Sequence, residues 1–148
     1  MNAAVRVYQG HSGVGLKVSG EVLVAGDNFS ARYDLDRVRG IFSRPPHKLF
    51  GQSYVGKVLI LNAAKGGVAS AWMLREMTSR NMAPCALILN FANPIMVQGA
   101  AFAGLPLIDR FDVDITAAIK SGEHVDIDPE NATVTVLAGR QSHRHGPF

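Results

Sequence analysis

The chain has 148 residues, 47% of them apolar, and a formal net charge of +3. That balance suits one globular domain with its own core and excludes a low-complexity or collagen-like chain. No apolar run approaches the roughly 20 residues of a membrane-spanning helix, and a single cysteine, Cys85, excludes an internal disulfide.

The basic residues fall in two places, Arg32, Arg37, Arg39 and Arg44 in one polar stretch and Arg140, His143, Arg144 and His145 in the tail. Only Arg32-Tyr33 and Phe42-Ser43-Arg44 hint at the basic–aromatic interleaving of a nucleic-acid surface, so no nucleic-acid partner is expected. The start lacks the apolar stretch of a signal peptide, and a cytoplasmic location is the expectation. The expected organisation is one domain over 1–148, with an N-terminal arm or entry strand at 1–15 and a flexible tail at 141–148.

Leu16 to Ala25 alternates loosely and reads as a strand with a bulge or bend at Gly20. Gly26-Asp27-Asn28 is a turn. Phe29 to Phe50 is polar, arginine-rich and carries Pro45-Pro46, long for a plain connection. Such a segment is either a lid or partner-facing surface, or a solvated loop with some structure of its own. Gly51 to Leu61 returns to strand character. Its end, Val58-Leu59-Ile60-Leu61, has no alternation, which suggests cover on both faces.

Next comes Asn62-Ala63-Ala64-Lys65-Gly66-Gly67-Val68-Ala69-Ser70, a strand end, a Gly-Gly turn and a helix start. Such a corner leaves backbone N–H groups unpaired at the positive end of the helix dipole, a receptor for a carboxylate or phosphate. Lys65 adds charge there and Ser70 a hydroxyl. The plainer reading is a tight turn needing glycine backbone freedom. The helix covers Val68 to Arg80, with Ala69, Trp72, Met73 and Met77 as its apolar side, Trp72 and the methionines being read as core.

Asn81-Met82-Ala83-Pro84 ends that helix. Cys85 to Leu89 is a second apolar strand, with Cys85 as a small buried hydrophobe. Asn93 caps and Pro94 opens a helix that stops before Gly104. Leu105 to Ile108 reads as a short edge-type segment, and Asp112 or Asp114 caps a helix over Ile115 to Lys120. Val125 to Asp128 and Thr133 to Val136 alternate around Pro129-Glu130-Asn131, so one face is wet. Asp126 and Asp128 share a face and read as exposed acids rather than an acid–base pair. His143 and His145 lack a third ligand, and no metal site is expected in this chain. The order of elements defines an α/β fold, a small parallel core plus antiparallel strands in β, β and α layers.

These residues carry a resemblance. The chain is similar to the small subunit of the aconitase X group, the aconitase swivelling domain, over about Gly20 to Val136. The likeness rests on His47 to Ser53 (His-x-x-x-Gly-x-Ser), Gly56-Lys57-Val58-Leu59, the glycine loop, Ala83-Pro84, Gly99-Ala100, Leu105-Pro106 and Ser121 to Asp128. It implies the swivelling β/β/α fold and hydro-lyase activity on a small hydroxy acid, such as cis-3-hydroxy-L-proline or mevalonate 5-phosphate. It also implies a large subunit holding an iron–sulfur cluster, this chain binding no cofactor itself.

In that family the glycine loop offers an arginine, backbone amides and a serine that accepts a proton, in the form Gly-Arg-Gly-Ser. Here the matching positions are Ala64-Lys65-Gly66-Gly67. The resemblance therefore implies Lys65, Gly66 and Gly67 as anion holders, lysine lacking arginine's bidentate fork. The proton acceptor falls to Ser70, to the large subunit, or to a changed chemistry. Arg32 to His47 is expected to face the large subunit. Two other readings compete. Phosphohistidine swivelling domains carry Gly-Gly-x-x-Ser-His at such a loop, but Ala71 stands in place of the histidine, which removes the nucleophile. A stand-alone module that binds an anion or a partner without catalysis is the alternative function.

Overall fold

The computed structural model describes residues 6–137. Among these, ten strands and three helices follow in the order β1 (Arg6–Gln9), β2 (Ser12–Val14), β3 (Val18–Val24), β4 (Leu35–Asp36), β5 (Ile41–Phe42), β6 (Val58–Ala64), α1 (Val68–Ser79), β7 (Ala86–Ala92), α2 (Pro94–Ala103), β8 (Leu107–Asp109), α3 (Ile115–Ala118), β9 (His124–Asp128) and β10 (Thr133–Val136). Arg140, His143, Arg144, His145 and the expected tail lie outside the described residues.

Eight strands pair in the order β1-β10-β9-β3-β6-β7-β8-β2. β3, β6, β7 and β8 are parallel, and β9, β10 and β1 add to β3 in antiparallel fashion. β3 changes partner along its length: Val18 to Glu21 pair with β9, and Val22 to Val24 with β6. β1 and β2 stand at opposite ends of this order yet are consecutive in the chain. Between them the Gly10 N–H donates to the Ala132 carbonyl at 2.7 Å and the His11 N–H to the Asp109 carbonyl at 3.0 Å. The ribbon of strands therefore folds back on itself, giving two facing β layers with α1 and α2 over one of them.

The unalternating runs explain the layering. Val58, Ile60 and Ile88 pack against Val125, Ile127, Val134 and Val136 of the antiparallel layer. Their neighbours Leu59, Leu61, Leu87 and Leu89 turn the other way, onto Leu74, Met77, Met96 and Ala100 of the helices. Each such side chain contributes about 1.5–3 kcal/mol by leaving water, and strands covered on both faces need apolar residues at every position.

Four local expectations change. α1 buries Ser70, Leu74 and Met77 rather than an Ala69–Trp72–Met73–Met77 side, and Trp72 is 58% exposed. The helix is apolar on more than one side, so spacing alone does not choose the face; packing against α2 and the helix-side core does. Leu105 to Ile108 is not an edge, because β8 is buried between β7 and β2. The strand at Gly20 runs unbroken from Val18 to Val24. The segment 29–50 has structure of its own, the short β4–β5 pair, but it is not merely solvated: Phe29, Ala31, Leu35, Phe42 and Leu49 are buried in the helix-side core. The caps fall as the residue types dictate. The Asn93 side chain accepts from the Met96 N–H at 2.9 Å, Gly104 ends α2 at φ 72°, and Asp114, not Asp112, caps α3.

Candidate functional site

The corner between β6 and α1 lies at the carboxyl ends of the parallel strands, the edge where α/β sheets bind ligands. Gly66 has φ 128°, a conformation L side chains rarely adopt. A Cβ there would also fall 2.6 Å from the Ser70 Cβ, and closer still to its Oγ. Gly67 is the N-cap, with no side-chain cap bond. The Ala71 N–H donates to the Gly67 carbonyl at 3.1 Å, which leaves the Val68, Ala69 and Ser70 amides without an intrahelical acceptor. Lys65, Gly66, Gly67, Val68 and Ala69 are all exposed. The residues that carry the corner's cation and its first amides are thus exposed, while Ser70 is buried.

Two neighbours fix the corner. The Asn93 side-chain amide donates to the Gly66 carbonyl at 3.1 Å. The Lys65 N–H donates to the Phe29 carbonyl at 2.7 Å, and the Phe29 N–H to the Ala63 carbonyl at 2.8 Å. This backbone pairing lays the start of segment 29–50 along the end of β6. A cleft of about 330 Å³ results, lined by Ser30, Tyr33, Asp34, Arg44, Lys65 and Gly66, among others.

Arg44 is the residue that sequence reasoning did not place beside the loop. Its Nε donates to Asp34 Oδ1 at 2.5 Å, and that bond, working against desolvation, raises the pKa of the guanidinium. Asp34 is buried and also accepts from the Ser30 N–H at 2.9 Å. Beneath them His47 is 2% exposed. Its Nε2 lies 2.7 Å from the Asn28 carbonyl and its Nδ1 accepts from the Leu49 N–H at 3.0 Å. Those partners assign the proton to Nε2. His47 thus pins the segment, and stacks on Phe42 at 4.5 Å. Burial works against the Asp27 carboxylate, but the Lys48 and Asn28 amides outweigh it and hold its pKa below the ordinary value.

Ser70 is only 3% exposed and packs under Gly66. Its hydroxyl does not reach the open face of the corner while Gly66 stays in place. Asp126 is exposed on the outer antiparallel layer, and Asp128 is engaged in its own turn, accepting from the Asn131 side chain at 2.8 Å. Cys85 precedes β7, at the opposite end of the parallel strands from the corner. Burial pushes its thiol pKa up, the reverse of what a metal-bound thiolate needs. One thiol cannot supply the several ligands of an iron–sulfur cluster, so these residues do not fit that group. No helix among the described residues is long and apolar enough to cross a membrane.

Two facing β layers, a helical layer, and an uncapped βα corner beside a cleft lined by Arg44 and Lys65 and by Asp27 and Asp34 define a swivelling-type β/β/α domain. The family model described as the aconitase X swivel domain matches residues 7–136, and the chain belongs to that family. Among curated relatives, the phosphomevalonate dehydratase small subunit of Pyrococcus horikoshii is 32% identical over 121 residues, covering 82% of this chain and 88% of that protein. The protein of the same description from Thermococcus kodakarensis is 30% identical over 129 residues, covering 87% and 95%. The crystal structure of Thermococcus kodakaraensis aconitase X in its holo-form superposes with a TM-score of 0.82 at 30% identity, covering 89% of this chain and 98% of that one.

Proposed function

We propose that this chain is the small subunit of a hydro-lyase that dehydrates a small hydroxy acid, holding the substrate anion at an interface with a large, cluster-bearing subunit. The observation that carries the reading is the open corner, with the Val68 to Ser70 amides free of intrahelical acceptors, beside Lys65 and next to the Arg44 cleft. Family membership and the names of the relatives support the activity class; the substrate and the cluster come from the resemblance.

In this reading the Gly66, Gly67 and Val68 amides and Lys65 bind a carboxylate or phosphate. Arg44 supplies from the cleft wall the guanidinium that the loop itself lacks, already oriented by Asp34. Ser70 supports Gly66 from below, and its hydroxyl takes part in proton transfer only after Gly66 swings aside. With the loop as it stands, the proton acceptor comes from the large subunit.

The test is co-expression with the cognate large subunit, followed by dehydration assays on phosphomevalonate and on cis-3-hydroxy-L-proline. Lys65→Ala is expected to raise KM about 10- to 100-fold, the worth of one charge-assisted hydrogen bond, and Lys65→Arg to restore it. Failure of the two chains to assemble, or unchanged kinetics in Lys65→Ala, overturns the reading.

A further inference from the structure

The outer face of the helical layer is uncovered next to the corner. α1 and α2 touch where Gly99 meets Ala71: a Cβ on Gly99 would lie 2.6 Å from that of Ala71. Over this contact runs a groove of about 370 Å³, lined by Val68, Trp72, Ile95 and Phe102 among others. These four are 62%, 58%, 41% and 64% exposed. Trp72 and Phe102 meet edge-on at 5.8 Å, and the Arg75 guanidinium lies 4.4 Å from the Phe102 ring centroid. Contiguous exposed apolar side chains mark an interaction site, and aromatic residues with arginine are the usual anchors of protein interfaces.

We infer that this groove is the docking surface for the large subunit, which seats an apolar side chain over Ala71 and Gly99, against the Trp72–Phe102 pair, and meets Arg75 with a carboxylate. The inference rests on the reading of the chain as a small subunit. Continuity with the anion site carries it. Val68 opens α1, so its amide belongs to the corner while its side chain lines the groove. A partner that closes over an anion held at Gly66 to Val68 also covers the Val68 side chain, and the groove extends from there along both helices. Arg75 makes no ion pair within the described residues and stacks only on the two rings, which leaves its charge for a partner's acid.

The experiment measures assembly of the full chain with the large subunit by titration, for wild type, Trp72→Glu, Phe102→Glu and the control Val7→Glu. Val7 is equally exposed, at 58%, but lies on β1 of the far layer. Circular dichroism and melting of the free variants verify that they fold. The expected result is a rise in Kd of at least about 10-fold for both groove variants, none for the control, and a weaker, salt-dependent loss for Arg75→Glu. Groove variants that fold and assemble like wild type overturn the docking surface while leaving the small-subunit reading intact. A wild type that binds no large subunit overturns both. Self-association of the free chain that the groove variants abolish, with large-subunit assembly unaffected, assigns the groove to a second copy and overturns the inference.

Discussion

Asn93 ties the start of α2 to the turn before α1: its Nδ2 donates to the Gly66 carbonyl at 3.1 Å while its Oδ1 accepts from the Met96 N–H at 2.9 Å. One side chain thereby caps one helix and holds the glycine turn of the other. Separating the two bonds separates their consequences. Asn93→Ala loses both, and the lost cap costs about 1 kcal/mol, read as a lower melting temperature. Asn93→Asp keeps the acceptor at a helix N-terminus, where a carboxylate is favoured, but loses the donor and places a negative charge beside the corner. It is expected to melt close to wild type while the assembled enzyme's KM rises about 5- to 10-fold, the scale of one unfavourable charge pair of about 1 kcal/mol. A KM equal to wild type in Asn93→Asp detaches the Gly66 link from anion binding.

Gly66 and Gly67 are neighbours with opposite tolerances. A Cβ at Gly67 meets nothing within 4 Å, and its φ of −114° is not left-handed. Serine is a slightly better N-cap than glycine. Gly67→Ser is therefore expected to fold at least as well as wild type and to place a hydroxyl on the open face. If turnover in the assembled enzyme rises, proton transfer lacked a hydroxyl at that position; if turnover is unchanged, the acceptor lies on the partner. Gly66→Ala combines a φ of 128° with the clash on Ser70. Its expected cost is about 1–3 kcal/mol, with loss of anion binding. Adding Ser70→Ala does not rescue it, because the Ser70 Cβ and the backbone strain remain. Denaturant midpoints of the three variants check this.

What the sequence makes legible divides by range. The cap of Asn93, the Gly-Gly corner and the two-sided burial of Val58 to Leu61 follow from local chemistry and were readable. The face of α1 was not, because Ala69, Trp72, Met73, Leu74 and Met77 offer two apolar sides and only packing against α2 and the helix-side core selects one. Arg44 could not be set beside Lys65 from spacing, since the backbone pairing of Phe29 with Ala63 and Lys65 brings them together. β8 looked like an edge because the strand that covers it, β2, comes from the first 15 residues, whose glycines hide any pattern.

The 29–50 segment stands or falls with His47. Its ring fills space against Phe42 and satisfies the Asn28 carbonyl and the Leu49 amide. His47→Ala leaves a cavity and two backbone groups without their partner, for an expected loss of about 2–4 kcal/mol. The same loss loosens the strip from Asp27 to Phe29 that positions the Arg44 cleft. Urea denaturation gives the magnitude. Native-state hydrogen exchange at the Leu49 amide gives the place, and protection there equal to wild type argues against the anchoring role.

Tyr54 makes the alkaline limb of stability specific. Its ring is fully buried against Phe42, its hydroxyl has no hydrogen-bond partner among the described residues, and burial pushes its pKa up to about 12. The folded state thus resists an ionisation that the unfolded chain undergoes near pH 10. The unfolded state binds fewer protons between those values, so stability is complete below about pH 10 and falls as pH rises toward 12. Tyr54→Phe removes both the ionisation and an unpaired buried hydroxyl. Its melting temperature at neutral pH is expected to equal wild type or to gain the equivalent of up to about 1 kcal/mol. The decline of its melting temperature between pH 10 and 12 is shallower than in wild type. Parallel alkaline limbs in the two proteins would mean that Tyr54 ionises freely in the folded state and that its hydroxyl reaches water.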